Sequence, residues 1–344
     1  MPGMVGGFGN FFVPLLIGAI YNLNIIFYKV LVNKLDLTLN VDCKNICNKD
    51  EKKDCCGDWE NSLMLKTYLA GLWEGDGHIE LKTLKNNIKS YKEVSNEVSF
   101  VKKVLLAITF NIKDLPLCEH LKKHINEGRI RIKKKEHACV LIFTTDNSVI
   151  KFVELVNGHL CTPKIYKFNI VIDYLNKKYM LSIPKFEPDV SNLSSNSWLA
   201  GFSDADPGFH IRYTVNKKFR IACEFRIEQR MIDPFSDSNY GSSFLNIAEF
   251  LGSKLEVSQH NKDKNYYLVR GSNRKSLVII LNYFNKYNLF SSKYLEYKDW
   301  EKTALLLLAN KAYLKENKDI IFDLKNSMNN KRTLFDWDHL NSLK

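Results

Sequence analysis

The sequence is short of acids, lacks a cysteine framework and has no clean membrane span. Asp and Glu number 38 against 50 Lys and Arg, a net charge of +12. That deficit favours a polyanionic partner, either nucleic acid or an acidic membrane surface, and charge alone does not separate the two. Eight cysteines in 344 residues do not make a disulfide scaffold. Cys118, Cys139, Cys161 and Cys223 stand among apolar residues and read as small core side chains. Cys43, Cys47, Cys55 and Cys56 cluster more densely. They lack a second CxxC pair and adjacent cysteines are poor tetrahedral partners, so a zinc site is the lesser alternative to free thiols in a reducing compartment. The stretch Phe11 to Val32 has about the ~20-residue length of a bilayer span, but Pro14, Gly18, Asn22, Asn24 and Lys29 interrupt it. Its flanks are not those of a cleavable signal peptide, and no matrix-targeting presequence is visible.

What is present is globular, with 45% hydrophobic and 26% charged residues. The order of elements divides it into an apolar leader and polar linker (1–60), a first unit (61–180), a linker containing Pro184 and Pro188 (181–197) and a second unit (198–344). The first unit opens with Leu65, Leu69, Leu72 and Trp73 at helical spacing. Strands follow around His78–Leu84 and Val98–Ile112, then a helix over Leu115–Ile125. Strands over Gly128–Lys135 and Ala138–Thr144 and two closing helices complete it. The same series recurs after Trp198, ending in a basic amphipathic stretch, Asp319–Arg332. The chain is a tandem duplication, each half reading αββαββα with an extra closing helix, and its period is 130 residues from Leu69 to Leu199.

The duplication is sharpest in two short stretches, LAGLWEGDG (Leu69–Gly77) and LAGFSDADP (Leu199–Pro207). Gly71 with Gly75, and Gly201 with Ala205, are small residues at i, i+4, which lets two helices approach backbone to backbone. Asp76 and Asp206 fall at helix C-termini, where the dipole already places partial negative charge. If the helices pair in parallel, two acids and two negative helix ends converge, an arrangement that calls for divalent cations. Oxygen-only ligands favour Mg²⁺. Solvated surface acids are the plain alternative for one motif; their repetition in the same position argues against it.

These motifs, with ITFNIKDLPL (Ile108–Leu117), TPKIYKF (Thr162–Phe168) and SNSWLAGF (Ser195–Phe202), resemble the LAGLIDADG homing endonucleases and their RNA-maturase relatives. The best match is the single-chain, two-motif kind encoded in mitochondrial introns. Met4–Ala19 separately resembles a membrane segment of cytochrome c oxidase subunit 1, as if host exon sequence were fused in frame. The resemblance implies an α+β, pseudo-twofold monomer whose two antiparallel sheets form a DNA-binding saddle. It implies metal-assisted hydrolysis of double-stranded DNA in the mitochondrion, with Mg²⁺ or another divalent cation held at Asp76 and Asp206 beside Gly75 and Ala205. Gln229 matches the family's polar residue at a strand end, with Asp114 its counterpart by self-alignment. Lys164 and Lys293 match the family's lysine before the last helix of each half. Basic residues on one strand face (Arg129, Arg131, Lys133; His210, Arg212; Arg220, Arg226) would meet phosphates and base edges, with Ile130, Ile132, Ile211 and Tyr213 packed inward beneath them.

One departure stands out. Pro207 occupies the position of the glycine after the catalytic acid. A glycine there can cap the helix at positive φ and a proline cannot, so Asp206 is expected to bind metal less well than Asp76. That departure keeps open an alternative, a maturase acting on the host group I intron RNA. A third reading is a non-enzymatic remnant tethered to a membrane by residues 11–32.

Overall fold

Leu65, Leu69, Leu72 and Trp73 do share a helix, α1 (Leu63–Asp76), and all four are buried. The computed structural model describes residues 63–82, 101–206, 208–215, 218–261 and 264–342. The apolar leader, Cys43, Cys47, Cys55, Cys56 and Pro207 lie outside the described residues. After α1 come β1 (Gly77–Lys82), β2 (Lys103–Asn111), α2 (Leu115–Ile125), β3 (Arg129–Lys133), β4 (Ala138–Phe143), α3 (Asp146–Val156) and α4 (Lys164–Tyr179). The second series is α5 (Trp198–Ala205), β5 (Gly208–Thr214), β6 (Arg220–Arg230), α6 (Gly241–Phe250), β7 (Leu255–Asn261), β8 (Lys264–Gly271), α7 (Arg274–Lys286) and α8 (Lys293–Leu308). A further helix, α9 (Lys315–Ser327), is appended. The fold is α+β. Two four-stranded antiparallel sheets have the orders β1-β2-β4-β3 and β5-β6-β8-β7.

Local chemistry sets the element ends. Thr145 caps α3 and Asn273 caps α7, each side chain accepting from the backbone N–H three residues on. Asn126 ends α2 in the left-handed region at φ 55°. Along β6, Ile221, Cys223, Phe225 and Ile227 alternate toward the core, where Phe225 meets Phe209 and Phe284. In the first half Phe143 packs on Phe152, and Trp73 packs on Phe152 and Phe168. The four cysteines at 118, 139, 161 and 223 are buried and free.

The sheet faces turned away from this core are unlike each other. The centre of the first is apolar: Ala107, Val140 and Ile142 with Leu105 against them. The corresponding area of the second is a charged lattice, with Arg226, His260 and Ser258 all bonded to Glu228 and Arg270 paired with Glu256. On β3, Ile130 is half-buried, but Ile132 is 49% exposed and does not pack inward. β3 is an edge strand, so among the described residues no strand flanks Ile132 on its outer side. Ile211 is buried as expected, and Tyr213 packs on Phe219 and Phe322.

Candidate active site

Helices α1 and α5 lie side by side, and residues separated by 130 in sequence face each other between them. Thr67 and Ser197 share a hydrogen bond of 2.8 Å across the pair. One turn on, a Cβ added to Gly71 would stand 2.0 Å from the Trp198 carbonyl oxygen, and one on Gly201 would stand 1.9 Å from that of Tyr68. One turn further, a Cβ on Gly75 would fall 2.1 Å from Ala205 Cβ. Contact at successive i, i+4 positions makes the helices run in parallel, so both C-termini arrive at the same end.

The acid two residues before each terminal aspartate is buried and structural, a role that the sequence reading missed. Glu74 accepts from Cys161 N (2.8 Å), Thr162 N (2.7 Å), the Thr162 hydroxyl and, across the axis, Trp198 Nε1 (2.7 Å). Asp204 accepts from Phe290 N (2.7 Å), Ser291 Oγ (2.5 Å) and, across the axis, the Tyr68 hydroxyl (2.7 Å). Burial raises both carboxyl pKa values, to about 6 for Asp204, and the hydrogen-bond donors oppose the rise. Each acid pins the turn that precedes its own half's last repeat helix, and an aromatic of the partner motif locks it. Equivalent placement of Tyr68 with Trp198 and of Glu74 with Asp204 was the available signal.

Those pinned turns deliver the two lysines. Lys164 Nζ donates to the carbonyls of Gly75 (3.3 Å) and Gly77 (2.9 Å). Lys293 Nζ donates to those of Ser203 (3.3 Å) and Ala205 (2.7 Å). Each ammonium thus sits against the negative end of a motif helix, beside its aspartate. Asp76 and Asp206 reach solvent at their tips, yet surrounding protein displaces enough water to raise both. Asp76 rises to about 6, with Lys293 opposing and the Asp206 charge adding. Burial lowers Lys164 to about 8, against the pull of Glu74 and Asp76, and lowers Lys293 as well. Two carboxylates whose charges disfavour one another, beside helix-end carbonyls, form an all-oxygen donor set that suits a hard divalent cation. No group of three or more His, Cys, Asp or Glu with metal-holding geometry exists among the described residues. Two carboxylates alone would leave the shell of such an ion incomplete.

Gln229 lies at the end of β6 and lines a cavity of about 290 Å³ with Lys164, Lys167, Arg230, Asp233 and Tyr240. Asp114 is not its counterpart. Leu106 pairs with Phe143 and Phe225 with Gly271, each two residues before a helix cap, so the ladders place Phe110 at the position of Gln229. Asp114 corresponds to Asp233 instead. It is buried, and its Oδ1 accepts from Ser292 N at 2.7 Å. The ladder position of Gln229 is thus polar in one half only.

Gly77 does not cap the first motif helix at positive φ. Among the described residues the positive-φ glycines are Gly128, Gly158 and Gly252, and Gly77 enters β1 directly. Glycine is needed there for room, since a Cβ would stand 2.2 Å from Trp73 Cδ1. Of the basic set, Arg129, Arg131, His210, Arg212 and Arg220 are exposed. Lys133 pairs with Glu136 at 2.9 Å, Arg226 with Glu228 at 2.6 Å, and Arg212 lies 3.9 Å from Glu224.

Comparisons with known proteins agree with this geometry. The family model described as LAGLIDADG endonuclease matches residues 69–175 and again 199–304. The intron-encoded DNA endonuclease aI3 of Saccharomyces cerevisiae is 28% identical, over 99% of this chain and 81% of its own. A cox1 intron-2 protein of Schizosaccharomyces pombe is 28% identical, over 73% of this chain and 68% of its own. The fold superposes on the meganuclease I-SmaMI, solved bound to uncleaveable DNA, with a TM-score of 0.59 and 18% identity, over 80% of this chain and 100% of that one. With one family model matched twice over more than half of its length, the chain belongs to the LAGLIDADG endonuclease family.

Proposed function

We propose that the protein is a site-specific, divalent-cation-dependent DNA endonuclease of a mitochondrial intron, cutting both strands of the intronless allele. The observation that carries this is the convergence of Asp76, Asp206, Lys164 and Lys293 at the shared end of α1 and α5. The oxidase-like Met4–Ala19 stretch and the cox1-intron relative support the mitochondrial origin.

A divalent cation, Mg²⁺ in this reading, would activate water and stabilise charge on the scissile phosphate. Asp76 and Asp206 would hold it, with the Gly75 and Ala205 carbonyls beside them. Lys164 and Lys293 leave their carbonyl partners to meet the phosphate oxygens. With its pKa lowered to about 8, Lys164 can also release a proton near neutral pH. Gln229 orients water in the cavity beside Lys164. Arg129, Arg131, Lys133, His210, Arg212, Arg220 and Arg226 contact the duplex.

The intron-RNA alternative leaned on Pro207, and its glycine-cap premise does not hold at Gly77. Among the described residues no helix is long and apolar enough to cross a membrane, and residues 11–32 lie outside them. The test is incubation with Mg²⁺ and duplex DNA spanning the oxidase gene after the codons for Leu16–Ala19, without the intron. Cleavage there, lost in Asp76→Asn, is expected; an uncut duplex contradicts the proposal.

A further inference from the structure

The two lysines arrive on turns of one design, and in each turn the carbonyl three residues ahead of the lysine is held. Cys161 O accepts from the Ser243 hydroxyl at 2.6 Å. Phe290 O accepts from His339 Nε2 at 3.1 Å. The holders come from unrelated places. Ser243 opens α6, after a long connection, 231–240, that follows β6 and also carries Asp233 to the first site. The first repeat has no such connection, because β2 runs through the short turn Ile112–Asp114 straight into α2. On that side the C-terminal segment comes across instead.

Several contacts fix this segment there. The His339 ring stacks with Tyr294 (centroids 4.2 Å apart, 13° between planes) and with Trp337 (5.5 Å, 29°). The Lys113 ammonium stands 5.6 Å over the Phe335 ring, and Leu340 is buried. A carbonyl can only accept, so His339 carries its proton on Nε2 toward Phe290. Burial lowers the imidazole pKa, so the ring is neutral and donates as that tautomer. The Lys293 turn is therefore held at three points: by Asp204 through Phe290 N and Ser291 Oγ, by Asp114 through Ser292 N, and by His339 through Phe290 O.

We infer that residues 329–342 complete the second half of the active site, replacing a connection that the first repeat lacks. In this role His339 is a positioning residue for Lys293. The inference rests on the reading of Lys293 as an active-site group. Losing one of three restraints lets the turn shift, and the Lys293 ammonium loses its register at the end of α5.

The test uses the full-length protein, Mg²⁺ and the oxidase-gene duplex with its two strands labelled differently, in single-turnover reactions. His339→Ala should slow one strand about tenfold, the same strand that Lys293→Ala slows. DNA affinity and the other strand's rate should hold, and His339→Gln, which keeps an N–H donor of similar reach, should restore the rate. Equal slowing of both strands overturns the inference, as does an unchanged His339→Ala protein beside a slowed Lys293→Ala one. No effect from Lys293→Ala would sink the underlying reading as well. Amide hydrogen exchange needs no cleavage. His339→Ala should speed exchange at Phe290–Lys293 and leave Cys161–Lys164 alone, and unchanged exchange at Phe290–Lys293 contradicts the inference.

Discussion

At neutral pH the protein ionises Asp76 against its own preference. The carboxyl sits at about 6 when folded, above its ordinary 3.8, so folding favours the protonated form. Stability from this group is complete below the unfolded pKa and is lost as pH rises through about 6. Without divalent cation, Asp76→Asn should therefore match the parent near pH 4 and exceed it above pH 7. The gain should be about 1 kcal/mol, discounted because the carboxyl tip reaches solvent. Thermal unfolding across pH reads this directly, and a variant less stable than its parent at pH 7 would refute it. Asp76 also shapes catalysis, together with Lys164. The cleavage rate should rise through about pH 6 as Asp76 ionises and fall beyond about pH 8 as Lys164 loses its charge. More Mg²⁺ should move the acid limb downward, because cation and proton compete for one carboxylate. Glu74 is a different kind of acid. Its oxygens face four donors, so Glu74→Gln would turn an amide N–H₂ into them and cost about 2–4 kcal/mol. A chemical denaturation midpoint unchanged from the parent's would contradict that role.

At the scale of elements, the stripe on α1 and α5 decides where everything else goes. Gly71 and Gly201 admit a backbone oxygen of the facing helix at about the position a side chain would take, so neither can yield to alanine without parting the helices. Gly71→Ala should destabilise by about 3 kcal/mol or more and displace both lysine turns from both aspartates. An alanine protein that melts with its parent would show the helices to be further apart. Much of this was legible in the sequence. Small residues at i, i+4 and paired terminal acids were visible twice, and the helix over Leu115–Ile125 matches α2. Through-space partners were not legible. Glu74 looks like a surface acid until Trp198 and the turn at Cys161–Thr162 close over it. Asp114 resembles a strand-end polar residue by alignment, and only the ladder register reveals that Phe110 holds that place. The His339 clamp joins residues far apart in the chain, which no local pattern announces.

Over the whole molecule the two halves share a plan and differ in surface. Arg129 and Arg131 stand exposed on an edge strand, whereas Arg226 and Arg270 are already paired with Glu228 and Glu256. An arginine that must first leave a carboxylate contributes less to phosphate binding, so Arg129→Ala should weaken DNA affinity more than Arg226→Ala. It should also flatten the dependence of log Kd on log salt by about one ion. Titrations at several salt concentrations decide this, and equal losses would contradict it. The sequence composition carried the net +12 but not its placement, because the acids that neutralise the second sheet are set by cross-strand register. The proposed catalysis depends on Asp76 and Asp206 working together at the paired helix ends to break DNA. The most direct measurement is Mg²⁺-dependent cleavage of the intronless oxidase-gene duplex by the parent, Asp76→Asn and Asp206→Asn proteins, with binding measured in parallel. The account predicts a double-strand break by the parent and none by either variant, with DNA affinity retained; cleavage that survives the loss of Asp76 would contradict it.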